Sequence, residues 1–229
     1  MFFAPFLMLV ALIFFGLIAL LFALVQIGVI RYAFGALGLP PELAFSALLV
    51  SLIGSYINIP ISRIENGAHH DAEFVDFFGL RYPIPARSHT SGTIVAVNVG
   101  GAIVPVLISF YVLLHQAGAI APAALGVAIV AAIIHRLAQP VRGLGIAIPM
   151  FIPPIVAALA AWGLAAVFGG GGQHLDAIAY VSGTMGTLIG ADIANLSKLE
   201  ELGAPVASIG GAGTFDGIFL TGIIAVLLA

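Results

Sequence analysis

Cysteine is absent from this chain, which excludes disulfides and thiolate metal ligation. Charge is nearly as scarce. Only 7% of the 229 residues are charged while 62% are hydrophobic, and a water-soluble domain of this size could not be clothed in a polar surface from that composition. Seven basic residues against ten acidic ones give a net charge of −3 and no basic patch suited to nucleic acid. What is present in abundance is long apolar sequence. Its natural partner is a lipid bilayer, so an integral, multi-pass protein of the cell membrane is expected.

A hydrocarbon core of about 30 Å needs roughly 20 apolar residues per helix. Seven stretches qualify, near 3–30, 43–61, 91–114, 119–135, 144–168, 176–196 and 205–228. They use most of the chain, so the expected fold is an all-α integral membrane protein: one transmembrane bundle domain over 1–229 with about seven helices. The first stretch lacks a basic leading region and is too long for a signal-peptide core, so it reads as a retained helix. Arg63, Arg81 and Arg87 fall in the second loop, Arg136 and Arg142 in the fourth and Lys198 in the sixth, while the odd-numbered loops hold only Arg31. Short cytoplasmic loops are enriched in Lys and Arg, which places the N-terminus in the cytoplasm and the C-terminus outside.

The one long loop, 62–90, is therefore cytoplasmic. Within it EFVDFFGLRYPIP (73–85) is suited to a short strand pair or an interfacial hairpin, because aromatics favour strands and Pro83 and Pro85 forbid a helix. His69, His70, Asp71 and Glu73 have metal-ligand side chains but no ligand-spacing signature. They read as a solvated loop, and neither metal nor cofactor is expected.

The second and sixth helices echo one another. LIGSYINIPISRIE (52–65) resembles LIGADIANLSKLE (188–200) with one gap, setting Tyr56 opposite Asp192, and VGGAI (99–103) recurs as IGGAG (209–213). Helices two and three would then repeat as six and seven. Four helices separate the copies, so the repeat would be parallel, and transporters often carry sites between such repeats. Asn58 and Asn98 lie in the first copy beside Pro60 and the glycines at 100 and 101, where an interrupted helix frees carbonyls for a solute or ion; a plain interhelical hydrogen bond is the simpler role.

Asp192 and Asp216 lie in the last two apolar segments, and carboxylates in hydrocarbon are costly enough to count as functional candidates. A regular seventh helix from Pro205 would bury Asp216 roughly 9 Å deeper than Asp192, too far for a shared proton. Glycines at 210, 211, 213 and 217 offer a remedy. If 203–213 were extended or re-entrant and the helix began near Thr214, the acids would lie level, in a pocket open to water. Two such carboxyls sharing one proton make one acid and one base, the chemistry that activates water against a peptide carbonyl.

DIANLSKLE (192–200) followed by GAGTFDGIFLTGIIAVLL (211–228) resembles the sixth and seventh helices of the presenilin and signal peptide peptidase intramembrane proteases. In those, one Asp ends a helix before a loop and a second follows glycines in a G-x-G-D motif. The resemblance implies Asp192 and Asp216 as the catalytic pair, with Gly211, Gly213 and Thr214 beside the substrate. Thr214 occupies the position of the strict motif's Asp, no Tyr precedes Asp192, and no Pro-Ala-Leu motif is found after Asp216. Over its whole length, through VNVGGAIVP (97–105) and GGAGTFDG (210–217), the chain better resembles an uncharacterised prokaryotic membrane family, a domain of unknown function. That likeness implies no activity.

The expected function is accordingly an aspartyl intramembrane protease-like enzyme acting on membrane-embedded peptides. A proton- or sodium-coupled transporter is the alternative, with the aspartates binding the ion and Asn58 and Asn98 the small solute. A homo-oligomer is compatible with either. The topology is tested by reporter fusions: those after Arg87 and Lys198 are expected to report a cytoplasmic location and one at Ala229 an external one. Opposite signs for the first two would contradict the assignment.

Overall fold

The computed structural model describes residues 4–64, 74–77, 80–83, 92–141, 145–168, 172–201, 206–211 and 217–229. Seven α-helices occur among them: α1 (Ala4–Ala36), α2 (Pro41–Gly54), α3 (Val104–His115), α4 (Ile120–Leu137), α5 (Ile152–Phe168), α6 (Leu175–Thr187) and α7 (Gly217–Leu228). Three helical stretches, Leu12–Ala36, Ala117–Leu137 and Leu175–Leu196, are long and apolar enough to cross a membrane, and four further apolar helices are shorter.

The chain is mostly helical but not all-α, which corrects the expectation. The apolar runs expected to be helical over 43–61 and 91–114 are divided. α2 stops at Gly54 and the run continues as strand β1 (Asn58–Ile64), while β4 (Thr93–Asn98) precedes a π-helical turn, Val99–Ile103, that leads into α3. Pro60 lacks an N–H and biases Ile59 away from helix, and Thr93, Ile94, Val95 and Val97 are β-branched, so each segment favours extended backbone. The run 144–168 divides as well, between β6 (Gly145–Ala147) and α5. Apolar composition alone does not distinguish such strands from helix.

β1 pairs antiparallel with β4, Asn58 facing Asn98, with a register shift between Pro60 and Ser62. β4 pairs in parallel with β7 (Val206–Ile209), so the sheet order is β1-β4-β7. Pro60 is tolerated because β1 is an edge strand. Two short hairpins complete the strands: β2 (Phe74–Phe77) with β3 (Leu80–Pro83), the strand pair expected in the long loop, and β5 (Gln139–Val141) with β6. Ile146 of β6 packs beside a small core formed by Val95, Ala102, Leu188, Ala207, Ile209 and Ile218. The second, fourth and sixth connections thus meet at one end of the bundle.

α6 is the central helix, buried on every side from Ala177 to Thr184 and surrounded by α3, α4, α5 and α7. Small residues permit this. A Cβ on Gly186 would lie 2.6 Å from that of Val130, and one on Gly190 would lie 2.5 Å from the Ala131 carbonyl oxygen, so α4 and α6 touch almost backbone to backbone. α1 is held through its C-terminal half, where Phe34 meets Phe219 edge to face at 6.0 Å. Leu12, Phe15, Leu21 and Leu24 project outward from the rest of it.

Among the described glycines the tightest approach is at Gly100, where a Cβ would lie 2.0 Å from the Ser51 carbonyl oxygen and 2.5 Å from the Ser55 nitrogen. Both are backbone atoms and cannot swing aside. Gly100→Ala is expected to cost about 2–3 kcal/mol by overpacking, lowering the thermal midpoint in detergent by roughly 4–12 °C. Gly163→Ala, where a Cβ meets nothing within 4 Å, is expected to be neutral or slightly stabilising in the same melt.

Candidate functional site

Where α2 ends and the π-helical turn begins, several backbone groups lose their helical partners. Asn98, 1% exposed, bonds two of them and a neighbouring side chain. Its Oδ1 accepts from the Gly101 N–H at 2.8 Å, and its Nδ2 donates to the Ser55 carbonyl at 2.7 Å and to Asn58 Oδ1 at 3.0 Å. Ser51 Oγ donates to the Gly100 carbonyl at 2.7 Å, and the Val99 N–H donates to the carbonyl of Ile57 at 3.0 Å. Asn58 is exposed, and its Oδ1 also accepts from Ser208 Oγ at 2.6 Å.

The second half of the site comes from the end of α6. After Thr187 the helix widens into a π-helical turn, Leu188–Asp192, and then tightens into a 3₁₀ helix, Ile193–Glu201. Asn195 Nδ2 holds the widened turn by donating to the carbonyls of Gly190 and Ala191, both at 2.9 Å. π-helical turns are uncommon and gather at functional sites. This one ends on Asp192, whose half-buried carboxylate accepts from the Gly210 N–H at 2.7 Å. Among the described residues no cation is paired with it.

Residues 208–211 join the two halves. Ser208 reaches Asn58, Gly210 reaches Asp192, and a Cβ on Gly211 would lie 2.8 Å from that of Asn98. Gly210 has φ +78°, a left-handed conformation natural to glycine, and a Cβ there would lie 2.5 Å from Ala102 Cβ. Of the residues singled out from sequence, Asp192, Gly211, Asn58 and Asn98 therefore come together. Asp216, Gly213, Thr214 and the run 69–73 lie outside the described residues. The segment 206–211 is strand and turn rather than helix, and α7 begins at Gly217.

Sequence reasoning missed Ser55, Ser208 and the Gly210 N–H. A serine carries no sign of its partner and a backbone donor leaves no mark in sequence, so only the fold exposes these three. Among the described residues no group of three or more His, Asp or Glu is placed to hold a metal ion.

Fold and site together define a predominantly helical protein, with helices apolar enough to span a membrane, whose polar groups gather where those helices are interrupted. Over residues 52–228 the chain matches the family described as protein of unknown function (DUF1614), and it belongs to that family. Every element of the site except part of α2 falls inside the match. Comparison with curated proteins and with solved structures gives no match.

Asn98 should be the residue the site can least spare. Asn98→Ala strands the Ser55 carbonyl and the Gly101 N–H, at an expected cost of about 2–4 kcal/mol, whereas Ser208→Ala, beside exposed Asn58, should cost under about 1 kcal/mol. Unfolding in mixed detergent micelles checks the order, and equal losses would contradict it.

Proposed function

We propose that this protein is a multi-pass membrane protein of about seven transmembrane segments with aspartyl intramembrane protease-like activity, using Asp192 and Asp216 as its acid and base. The observation that carries the reading is the hydrogen bond from Gly210 to Asp192. It ties the end of β7 to the first carboxylate, and 206–211 run as strand and turn, as the pairing of the two acids requires in place of a regular helix. β7 lies at the edge of its sheet among the described residues and ends beside Asp192, so an extended, membrane-embedded peptide added along that edge would run toward Asp192. Water polarised between the two carboxyls would attack the peptide carbonyl, one acid taking a proton while the other gives one. The N-terminus is cytoplasmic in this reading, and the site opens to the same side.

Direct contact between Asn58 and Asn98, beside two interrupted helices, favours a second reading. In that reading the protein is a proton- or sodium-coupled transporter built on a parallel repeat, and the shared direction of β4 and β7, each preceding a helix, agrees with such a repeat.

Asp192→Asn and Asp216→Asn are each expected to lower cleavage of a transmembrane peptide by roughly 10²–10⁴-fold. In Asp192→Asn the new side-chain amide keeps an oxygen to accept from Gly210, so expression and melting should be unchanged for that variant. Wild-type protein that neither cleaves such peptides nor binds transition-state-mimicking aspartyl protease inhibitors would exclude the protease reading. Loss of sodium-driven or proton-driven solute uptake in the same variants would then establish the second.

A further inference from the structure

The core of α6 is more polar than the proposed site requires. Asp176, Tyr180, Thr184 and Thr187 recur at intervals of four, four and three residues, which at 100° per residue places them within an arc of about 80° on one face. Tyr180 and Thr184 are 0% and 1% exposed. Thr184 Oγ1 lies 3.0 Å from Ser109 Oγ of α3, and a Cβ on Gly222 of α7 would sit 2.5 Å from Thr184 Cγ2 and 2.7 Å from the Tyr180 ring. The stripe therefore faces the seam between α3 and α7. Two of its hydroxyls, Tyr180 Oη and Thr187 Oγ1, are buried with no hydrogen-bond partner among the described residues. Leaving such a group stranded is costly, and native structures usually satisfy them with ordered water.

The π-helical turn gives the stripe an end. In an unbroken helix Asp192 would point about 140° away from Thr187. A turn closed by i→i+5 bonds accommodates one extra residue, which rotates the remainder of the helix back by roughly 90°. Asp192 is thereby returned to the stripe's face. Half-buried Asp176 stands at the opposite end of the same helix, about 24 Å away at 1.5 Å per residue.

We propose that the stripe on α6 is a proton path, running from Asp176 through the hydroxyls of Tyr180, Thr184 and Thr187, with bridging waters between them, to Asp192. Thr184 Oγ1 donates to the Tyr180 carbonyl at 2.8 Å, so its hydroxyl turns from that carbonyl as a proton passes, and waters fill the interval between successive hydroxyls. Helical side chains lean toward the N-terminus, which directs Tyr180 toward the turn that carries Asp176. A proton arriving at the Asp176 carboxylate moves as each hydroxyl or water accepts one proton and releases another. It ends on the Asp192 carboxylate and leaves to water at that end, so only O–H bonds are made and broken. The path shares Asp192 with the proposed site but requires neither Asp216 nor a peptide substrate.

The test uses the full chain in phosphatidylethanolamine and phosphatidylglycerol vesicles loaded with a pH-sensitive dye, with a potassium gradient and valinomycin supplying the potential. Wild-type vesicles are expected to acidify faster than protein-free ones. Tyr180→Phe, which removes only an unpartnered hydroxyl and should not unfold the chain, is expected to slow the flux roughly tenfold or more. Asp176→Asn should do the same, and Tyr32→Phe on the exposed face of α1 should not. Vesicles no more conductive than empty ones, or a Tyr180→Phe variant that conducts like wild type, would overturn the path. Intact cleavage beside absent flux would overturn it while leaving the protease reading standing, and intact flux without cleavage would do the reverse.

Discussion

Wherever an apolar helix stops inside its own hydrophobic run, the amides and carbonyls it releases must find partners, because the surroundings supply none. Asn98 meets most of that demand at the junction of α2, β4 and the adjoining π-helical turn. With one buried amide it holds the end of α2, the start of the π-helical turn and the neighbouring strand. The three-stranded sheet, the close approach at Gly100 and the course of β7 all presuppose that junction.

A second device of the same kind closes α6. There the widened turn releases the carbonyls of Gly190 and Ala191, and Asn195 binds both. Two asparagines thus stabilise two departures from regular helix, and the departures bring Asp192, Asn58 and the 208–211 strand-turn into one neighbourhood. Glycine is required on both sides of the contact. Gly190 lets α4 reach the widened turn, and Gly210 lets the chain reverse direction against Ala102 while presenting its N–H to Asp192.

The central position of α6 gives these local features their reach. A helix packed on all sides carries little exposed surface, so polar groups along it face other protein rather than lipid or bulk water. Asp192 at one end belongs to the interrupted-helix site, and Asp176 at the other belongs to the opposite end of the bundle. Tyr180 and Thr184 between them occupy the seam where α3 and α7 meet.

The apolar bias, the helix-rich character and the loop hairpin were legible in the sequence, because each depends on composition or on residues near in the chain, and Asp192, Asn58 and Asn98 stand out there as polar residues in apolar runs. The recurrence of Asp176, Tyr180, Thr184 and Thr187 at helical spacing is written there too, as polar residues in phase within an apolar run. Tertiary structure alone decided that 58–64, 93–98 and 206–209 are strands, since an apolar β-branched stretch becomes a strand only when a neighbour offers a ladder of hydrogen bonds. It also decided that Gly210 serves Asp192 and that Ser208 serves Asn58. Those contacts join residues 18 and 150 positions apart, and no local propensity encodes a partner at that separation.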